Sequence, residues 1–194
     1  MLLKTKKLMK AFGGLKAIDK IDIEIPQGEI RGIIGPNGSG KSTFFNLISG
    51  VYDVDPGSYI EFDGHDITNE PAHEIGALGL ARTFQLLRLY QDMSVINNVM
   101  SGYHTKVPYS FAAAVLGRKK IWDHEKKIKE EMMELLSFVG LADFAEMNAS
   151  ELSGGQRRLL VLARAIAGKP KLLMLDEPAA GLSPHNVDNL MKII

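Results

Sequence analysis

The stretch Gly35-Pro36-Asn37-Gly38-Ser39-Gly40-Lys41-Ser42 decides the fold, because it matches the phosphate-loop pattern G-x-x-x-x-G-K-[S/T] in full. Glycines at these positions let successive backbone N–H groups curve around a phosphate, and a following helix presents its positive end. Lys41 would face the β- and γ-phosphates, and the Ser42 hydroxyl would coordinate Mg²⁺. A glycine-rich turn can also merely join a strand to a helix, but both flanking elements are legible here, which favours nucleotide binding.

The residues on either side of this loop indicate alternating strands and helices. Residues 29–34 are predicted to form a short buried strand, and residues 42–49 a helix. Apolar and polar residues alternate over 18–25, which indicates a half-buried strand, and the lysine-rich first twenty residues are interpreted as an edge strand. Further predicted elements are a hairpin within 51–66, a helix over 71–80, a strand near 80–84, a helix over 156–167 and a buried parallel strand over 171–176.

Residues 86–150 change character and are predicted to be rich in helix. Apolar residues recur there at helical spacing, and the charged residues between them mark a solvated face. The apolar positions are Ile121, Ile128, Met132, Leu135, Leu136 and Val139.

Composition narrows the class of protein. The 194 residues carry 23 Lys and Arg against 23 Asp and Glu, and 45% of them are apolar. These values fit one globular domain and exclude disorder, collagen or coiled coil as a whole-chain structure. The absence of cysteine excludes disulfides, cysteine-ligated zinc and thiol catalysis. A neutral chain without an apolar run of about 18 residues is not expected to bind nucleic acid as its main role or to insert into a membrane directly.

An acidic pair, Asp176-Glu177, follows the predicted strand over 171–176. An aspartate that closes a buried strand can hold Mg²⁺ through its water shell, as the Walker B acid does. The adjacent glutamate can orient or deprotonate an attacking water. On its own this pattern is weak, since it fits a strand end with solvated acids, but together with a complete phosphate loop it becomes strong.

A second glycine-rich motif, Leu152-Ser153-Gly154-Gly155-Gln156, precedes the predicted helix over 156–167. The serine suits an N-cap, and the helix start can receive an anion. Within one chain an ordinary capped helix is the simpler interpretation. The segment is nevertheless similar to the signature motif of ABC-transporter ATPases, and the order of all three motifs fits that family over essentially the whole chain.

The resemblance implies an α/β fold: a P-loop NTPase core of the RecA-like type, with an antiparallel β flank and an inserted α-helical subdomain. Residues 1–194 would form a single ABC ATPase domain, with its core in 1–85 and 156–194 and its helical subdomain in 86–155. ATP and Mg²⁺ would be its cofactors, and the chain would hydrolyse ATP to drive import.

The resemblance also assigns the site residues. Phe12 falls where the family stacks an aromatic ring on adenine, although from the residues alone it would be taken as a core residue. The implied nucleotide-binding residues are Phe12, Gly35, Asn37, Gly38, Ser39, Gly40, Lys41, Ser42, Thr43, Ser153, Gly154, Gly155 and Gln156. The implied metal ligands are Ser42, Gln85 and Asp176, and the implied catalytic residues are Glu177, Gln85 and Lys41.

Partners follow from the same resemblance. In the family the helix after the signature binds the γ-phosphate held by a second ATP-binding subunit, so a homo- or heterodimer is expected. Ala180-Gly181-Leu182-Ser183 matches the loop that crosses this interface, with Ser183 in place of the usual aspartate. Transmembrane permease subunits would receive the motion of the ATP-binding dimer as it closes and opens. The chain would therefore lie peripherally on the cytoplasmic face of the cell membrane. Residues 79–85, 107–117 and 178–182 look like those of branched-chain amino-acid importers.

One family element has no counterpart in the sequence. A switch histidine is expected well after the interfacial loop, and the histidines present do not fit that position: His65, His73, His104, His124 and His185. We therefore expect the sequence to be incomplete at its C-terminus. Two alternatives stay open at this point: a non-transport ABC ATPase, such as a DNA-repair or translation factor, and a nucleotide-binding module without turnover.

Overall fold

The computed structural model describes residues 1–83, 89–103, 118–180, 187, 190 and 191, with side chains of the helix that begins at Arg118 described from residue 125 onward. The chain divides into two compact units, Met1–Leu80 and Ala81–Ile194. The phosphate loop belongs to the first unit, and the acidic pair and the second glycine motif belong to the other.

An antiparallel sheet with the strand order β2-β1-β3-β4 organises the first unit. Its strands are β1 (Leu3–Phe12), β2 (Leu15–Ile25), β3 (Tyr59–Phe62) and β4 (His65–Asp66). The predicted hairpin is present, since Asp63 and Gly64 both have positive φ, at 49° and 79°, as a tight two-residue turn between β3 and β4 requires. This sheet is the antiparallel flank that the sequence predicted.

The interpretation of the lysine-rich first twenty residues as an edge strand was wrong for β1, although residues 15–20 do lie in the edge strand β2. β1 pairs with β2 on one side and with β3 on the other, so it lies inside the sheet and β2 forms an edge. Lys6 and Lys7 are exposed, whereas Leu3 and Leu8 are buried. The lysines therefore mark the solvated side of an interior strand rather than an unpaired edge.

Two helices accompany this sheet, α1 (Lys41–Ile48) and α2 (Ala72–Ala77). The apolar face of α1 is buried at Phe44, Leu47 and Ile48, as the helical spacing predicted. Gly50 follows the end of α1 and has a φ of 65°. It lies close to the residues that precede α2, since an added Cβ would be 2.6 Å from the Glu70 carbonyl oxygen. Glycine at this position fixes the path of the chain out of the phosphate-loop helix.

The buried strand predicted over residues 29–34 is not formed. In the described part of the chain this segment is irregular, and Ile30 and Ile34 are 79% and 95% exposed. An apolar run becomes a buried strand only when neighbouring strands take up its backbone hydrogen bonds and cover its faces. None of the strands that the structure describes pairs with this segment, so its isoleucines stay in solvent.

The second unit combines helices with a two-stranded sheet. Its elements are β5 (Leu80–Arg82), which belongs to this unit from Ala81 onward, α3 (Val95–Gly102), α4 (Arg118–Phe138), α5 (Gly154–Ala167) and β6 (Leu172–Met174). Strand β5 pairs with β6. Side chains from the three helices form one buried apolar cluster that includes Val99, Leu136 and Leu160. The described positions of the helical pattern predicted for 121–139 are buried or partly buried in this cluster.

The helices α3 and α5 cross at very short range. A Cβ added at Gly102 would lie 2.1 Å from the Arg164 carbonyl oxygen, so only glycine fits there. None of the described helices is long and apolar enough to span a membrane.

Backbone hydrogen bonds join the segment at the start of α3 to the segment before α5. Val95 N donates to the Met147 carbonyl at 2.9 Å, and Ala149 N donates to the Met93 carbonyl at 3.0 Å. Asn98, which is fully buried, accepts from Tyr90 N at 2.9 Å and donates to three carbonyls of residues 90–94. These bonds fix the chain just before the second glycine-rich motif, residues 152–156, which we call the Ser153 motif.

Candidate nucleotide-binding site

The phosphate loop is exposed and runs directly into α1. Gly40 occupies the N-cap with φ 90°, and an added Cβ would lie 2.5 Å from the Ala17 carbonyl oxygen, so the backbone conformation and the close approach both require glycine. Ser39 N donates to the Pro36 carbonyl at 3.2 Å, which tightens the loop. Gly38, at φ 80°, has open space around its α-carbon.

Lys41 spans its own loop. Its Nζ donates to the carbonyl oxygens of Gly35 at 2.7 Å and Pro36 at 2.9 Å. No side chain caps α1, and its first turn contains no acidic residue. The positive end of the helix and the lysine charge therefore lie at the same loop, and both favour binding of a phosphate group.

Three further residues of the phosphate-loop motif lie on the loop or in the first turn of α1. Ser42 and Thr43 belong to the first turn of α1, where Ser42 is exposed and Thr43 is half-buried. Asn37 is exposed on the loop. The Ser42 hydroxyl is thus accessible at the helix start, as a ligand of a solvated cation must be.

Phe12 ends β1 and is 45% exposed, so the interpretation as a core residue was wrong. Its ring meets Tyr52 edge-on, with centroids 5.6 Å apart and planes at 76°, and Lys10 Nζ lies 5.6 Å from the Phe12 centroid. Tyr52 was missed by the sequence analysis, because no motif marks it and only the fold brings it beside Phe12. An aromatic ring held this way keeps surface available for stacking.

Asp176 lies two residues beyond β6 and is mostly buried. Its Oδ2 accepts from Arg82 Nη2 at 3.1 Å, and its backbone N donates to Thr83 Oγ1 at 3.4 Å. Arg82 was also missed, since an ion pair between residues 94 positions apart leaves no local signal.

Glu177 faces solvent immediately after Asp176. Its backbone has φ 48°, a left-handed conformation that is uncommon for glutamate, and its carbonyl accepts from Ala180 N at 3.1 Å. The sharp turn away from β6 separates the two acids, so that Asp176 is held inside the protein and the Glu177 carboxylate is left exposed.

The Ser153 motif forms a capping box at the start of α5. Ser153 Oγ accepts from Gln156 N at 3.3 Å, and Ser153 N donates to Gln156 Oε1 at 2.9 Å. Gly154 is exposed, and an added Cβ there would meet no atom within 4 Å. The predicted N-cap is confirmed, and the glycine leaves the helix start open to a ligand.

This cap gives a stability prediction. Ser153→Ala should lower the free energy of unfolding by about 1 kcal/mol, because the Gln156 N–H loses the serine oxygen that accepts from it. Urea denaturation measures the change. Ser137→Ala, on the exposed side of α4, is the matched control and should be close to neutral. Equal stability of Ser153→Ala and the wild type would show that the capping box is not formed in solution.

Several predicted residues lie outside the described residues or carry no special contact. Gln85, the interfacial-loop residues 181–183, the segment 107–117, His104 and His185 lie outside the described residues, as does the side chain of His124. His65 and His73 are exposed, which fits their interpretation as surface histidines. The structure thus groups Phe12 with the phosphate loop in the first unit, and Asp176, Glu177 and the Ser153 motif within the second.

A lysine folded over a glycine loop at an uncapped helix start is the arrangement of a P-loop nucleotide-binding protein. The family model described as "ABC transporter" matches residues 18–180, so the chain belongs to the ABC transporter family of ATP-binding proteins. This finding confirms the family resemblance and the fold class that the three motifs predicted.

Known relatives agree with this assignment. The chain is 41% identical over 186 residues to the probable branched-chain amino acid transport ATP-binding protein LivG of Archaeoglobus fulgidus, which covers 94% of this chain and 70% of that protein. It is 36% identical over 193 residues to the high-affinity branched-chain amino acid transport ATP-binding protein BraF of Pseudomonas aeruginosa. The aligned region covers 100% of this chain and 75% of BraF. A crystal structure of an ATP-binding cassette of an ABC transporter, in its ADP conformation, superposes with a TM-score of 0.79 at 32% identity, covering 98% of this chain and 74% of that one.

Proposed function

We propose that this chain is the ATP-hydrolysing subunit that energises an importer of branched-chain amino acids from the cytoplasmic face of the membrane. The observation that carries the proposal is the identity of 41% and 36% to two branched-chain amino acid transport ATP-binding proteins over nearly the whole chain. The phosphate loop supports it, because its glycine backbone and Lys41 lie at the uncapped start of α1, where a phosphate group can bind.

Mg²⁺ is the metal that we propose to accompany the nucleotide. Ser42 in the first unit and Asp176 in the second each offer a hard oxygen donor, the kind of group that Mg²⁺ prefers together with water and phosphate oxygens. Among the described residues, no group of three or more His, Cys, Asp or Glu side chains comes together. When bound, Mg²⁺ would neutralise charge on the β- and γ-phosphates.

The roles of the protein groups follow from their placement. Lys41 would leave its two loop carbonyls and donate to the terminal phosphates. Glu177, exposed beside the buried Asp176, would take a proton from the attacking water. Gln85 would orient that water, and Phe12 would stack on adenine. The division into a core of 1–85 and 156–194 and a helical subdomain of 86–155 remains our proposal for the whole domain.

The partners are a second ATP-binding subunit and transmembrane permease subunits. The open helix start at Ser153 would receive the γ-phosphate held by the other subunit. ATP would then close the dimer, and hydrolysis and product release would open it.

Replacement of Ser153 by aspartate tests this proposal. Aspartate is as good an N-cap as serine, so Ser153→Asp should retain the stability that Ser153→Ala loses. Its negative charge should nevertheless repel a γ-phosphate and weaken ATP-driven association by about tenfold or more, the effect of losing a contact of about 1.4 kcal/mol. Analytical ultracentrifugation with Mg-ATP measures the association. If Ser153→Asp associates as strongly as the wild type, the signature helix does not contact nucleotide.

A further inference from the structure

Asp176, the carboxylate to which we assign the metal, already has a cationic partner in the protein. Arg82 Nη2 lies 3.1 Å from Asp176 Oδ2, and the two side chains are only 6% and 16% exposed. This is the most deeply buried of the ion pairs between described residues.

The backbone around this pair is fixed from both strands. Thr83 N donates to the Met174 carbonyl at 3.0 Å, and Thr83 Oγ1 accepts from Asp176 N at 3.4 Å. Because Arg82 and Thr83 both reach Asp176, the ends of β5 and β6 meet at this carboxylate. The pair is therefore built into the sheet and does not depend on two flexible surface side chains finding each other.

A buried carboxylate demands a counter-charge, and two cations compete for it when a metal also binds. The guanidinium occupies one oxygen of Asp176, and a hydrated Mg²⁺ would need the same carboxylate. We propose that Arg82 is a counter-ion that holds Asp176 until the metal–nucleotide complex arrives, and that the metal must displace it. This inference rests on the proposed role of Asp176 as the metal carboxylate.

Two consequences follow from such competition. Arg82 lowers the affinity of the nucleotide-loaded protein for its metal, because part of the metal-binding free energy is spent on separating the ion pair. Metal arrival would also change the contact that Arg82 makes with Asp176. A purely structural ion pair would do neither of these things.

Metal titration of the ADP-loaded protein tests the competition. Mn²⁺, followed by electron paramagnetic resonance, is the probe for the site. Arg82→Gln should tighten Mn²⁺ binding by roughly tenfold, the scale of one charge-assisted hydrogen bond. Arg164→Gln is the matched control, since Arg164 is a half-buried arginine of the same unit that lies over the Tyr90 ring, and it should leave Mn²⁺ binding unchanged.

Asp176→Asn separates the two possible failures. If Asp176→Asn weakens Mn²⁺ binding while Arg82→Gln leaves it unchanged or weaker, Asp176 is the metal carboxylate and the counter-ion role of Arg82 is overturned. If Asp176→Asn binds Mn²⁺ as tightly as the wild type, the proposed metal role of Asp176 is wrong, and the inference about Arg82 is overturned with it.

A measurement on the wild type avoids the risk that Arg82→Gln fails to fold. Nitrogen-15 spectra of the arginine guanidinium groups report how freely each group rotates about its Cζ–Nε bond. With ADP alone, the Arg82 guanidinium should rotate slowly because Asp176 holds it. Addition of Mg²⁺ should speed its rotation severalfold or shift its Nη resonances to those of a released group. A guanidinium that stays equally restrained with Mg²⁺ bound would overturn the proposal.

Discussion

Lys41→Ala is expected to weaken ATP binding by roughly ten- to a hundredfold, which corresponds to about 1.5–3 kcal/mol for a hydrogen bond to a charged group. Lys41 Nζ donates to the carbonyls of Gly35 and Pro36. Phosphate oxygens are stronger acceptors than carbonyls because they carry charge, so Lys41 gains on transfer to the nucleotide. Alanine loses this gain.

Calorimetry with Mg-ATP measures the affinity. Lys6→Ala is a suitable control, because Lys6 is an exposed lysine of the same unit and its removal lowers the net charge equally. If the two variants bind ATP equally well, the loss comes from net charge rather than from the position of Lys41. An affinity of Lys41→Ala equal to that of the wild type would contradict nucleotide binding at this loop.

The spacing of apolar residues predicted most of the described helices and strands, because each of these elements has one buried face and one exposed face. The helices over 42–49 and 156–167, and the strand over 18–25, each bury one face within their own unit, so their apolar spacing is legible from the residues alone. The hairpin was also legible, because Asp63-Gly64 suits the positive φ values that the turn requires.

Residues 29–34 show where that reasoning stops. Their isoleucines carry the composition of a buried strand, yet Ile30 and Ile34 are exposed in the described chain. A strand is defined by partners that lie far away in sequence, and composition cannot tell whether those partners are in place. The same limit explains the error about β1, whose lysines fit an edge strand although both of its sides are paired.

The candidate site divides in the same way. Gly40 and Ser153 were found because their backbone roles, a left-handed N-cap and a capping box, impose residue types at fixed spacing. Tyr52 and Arg82 were missed because they act through contacts with Phe12 and Asp176, which lie 40 and 94 positions away along the chain. Motif residues can be recognised from their spacing in the sequence. The residues that contact them can be recognised only from the folded structure.

Glu177→Gln is expected to retain ATP affinity and to lower ATP turnover by about 10²–10⁴-fold, the usual contribution of a general base. The substitution keeps the size of the side chain and removes only its ability to accept a proton. Glu177 is exposed at a sharp turn, and its backbone carbonyl, not its carboxylate, makes the turn hydrogen bond to Ala180 N. Glutamine should therefore preserve the turn while abolishing the chemistry.

Two measurements on the same sample separate binding from turnover. The rise in melting temperature with Mg-ATP reports binding to the folded state, and phosphate release reports hydrolysis. Glu134→Gln, an exposed glutamate on α4, is the control and should change neither. Equal turnover of Glu177→Gln and the wild type would reassign Glu177 to a structural role in the turn. A wild type that binds ATP without releasing phosphate would instead favour a nucleotide-binding module without turnover.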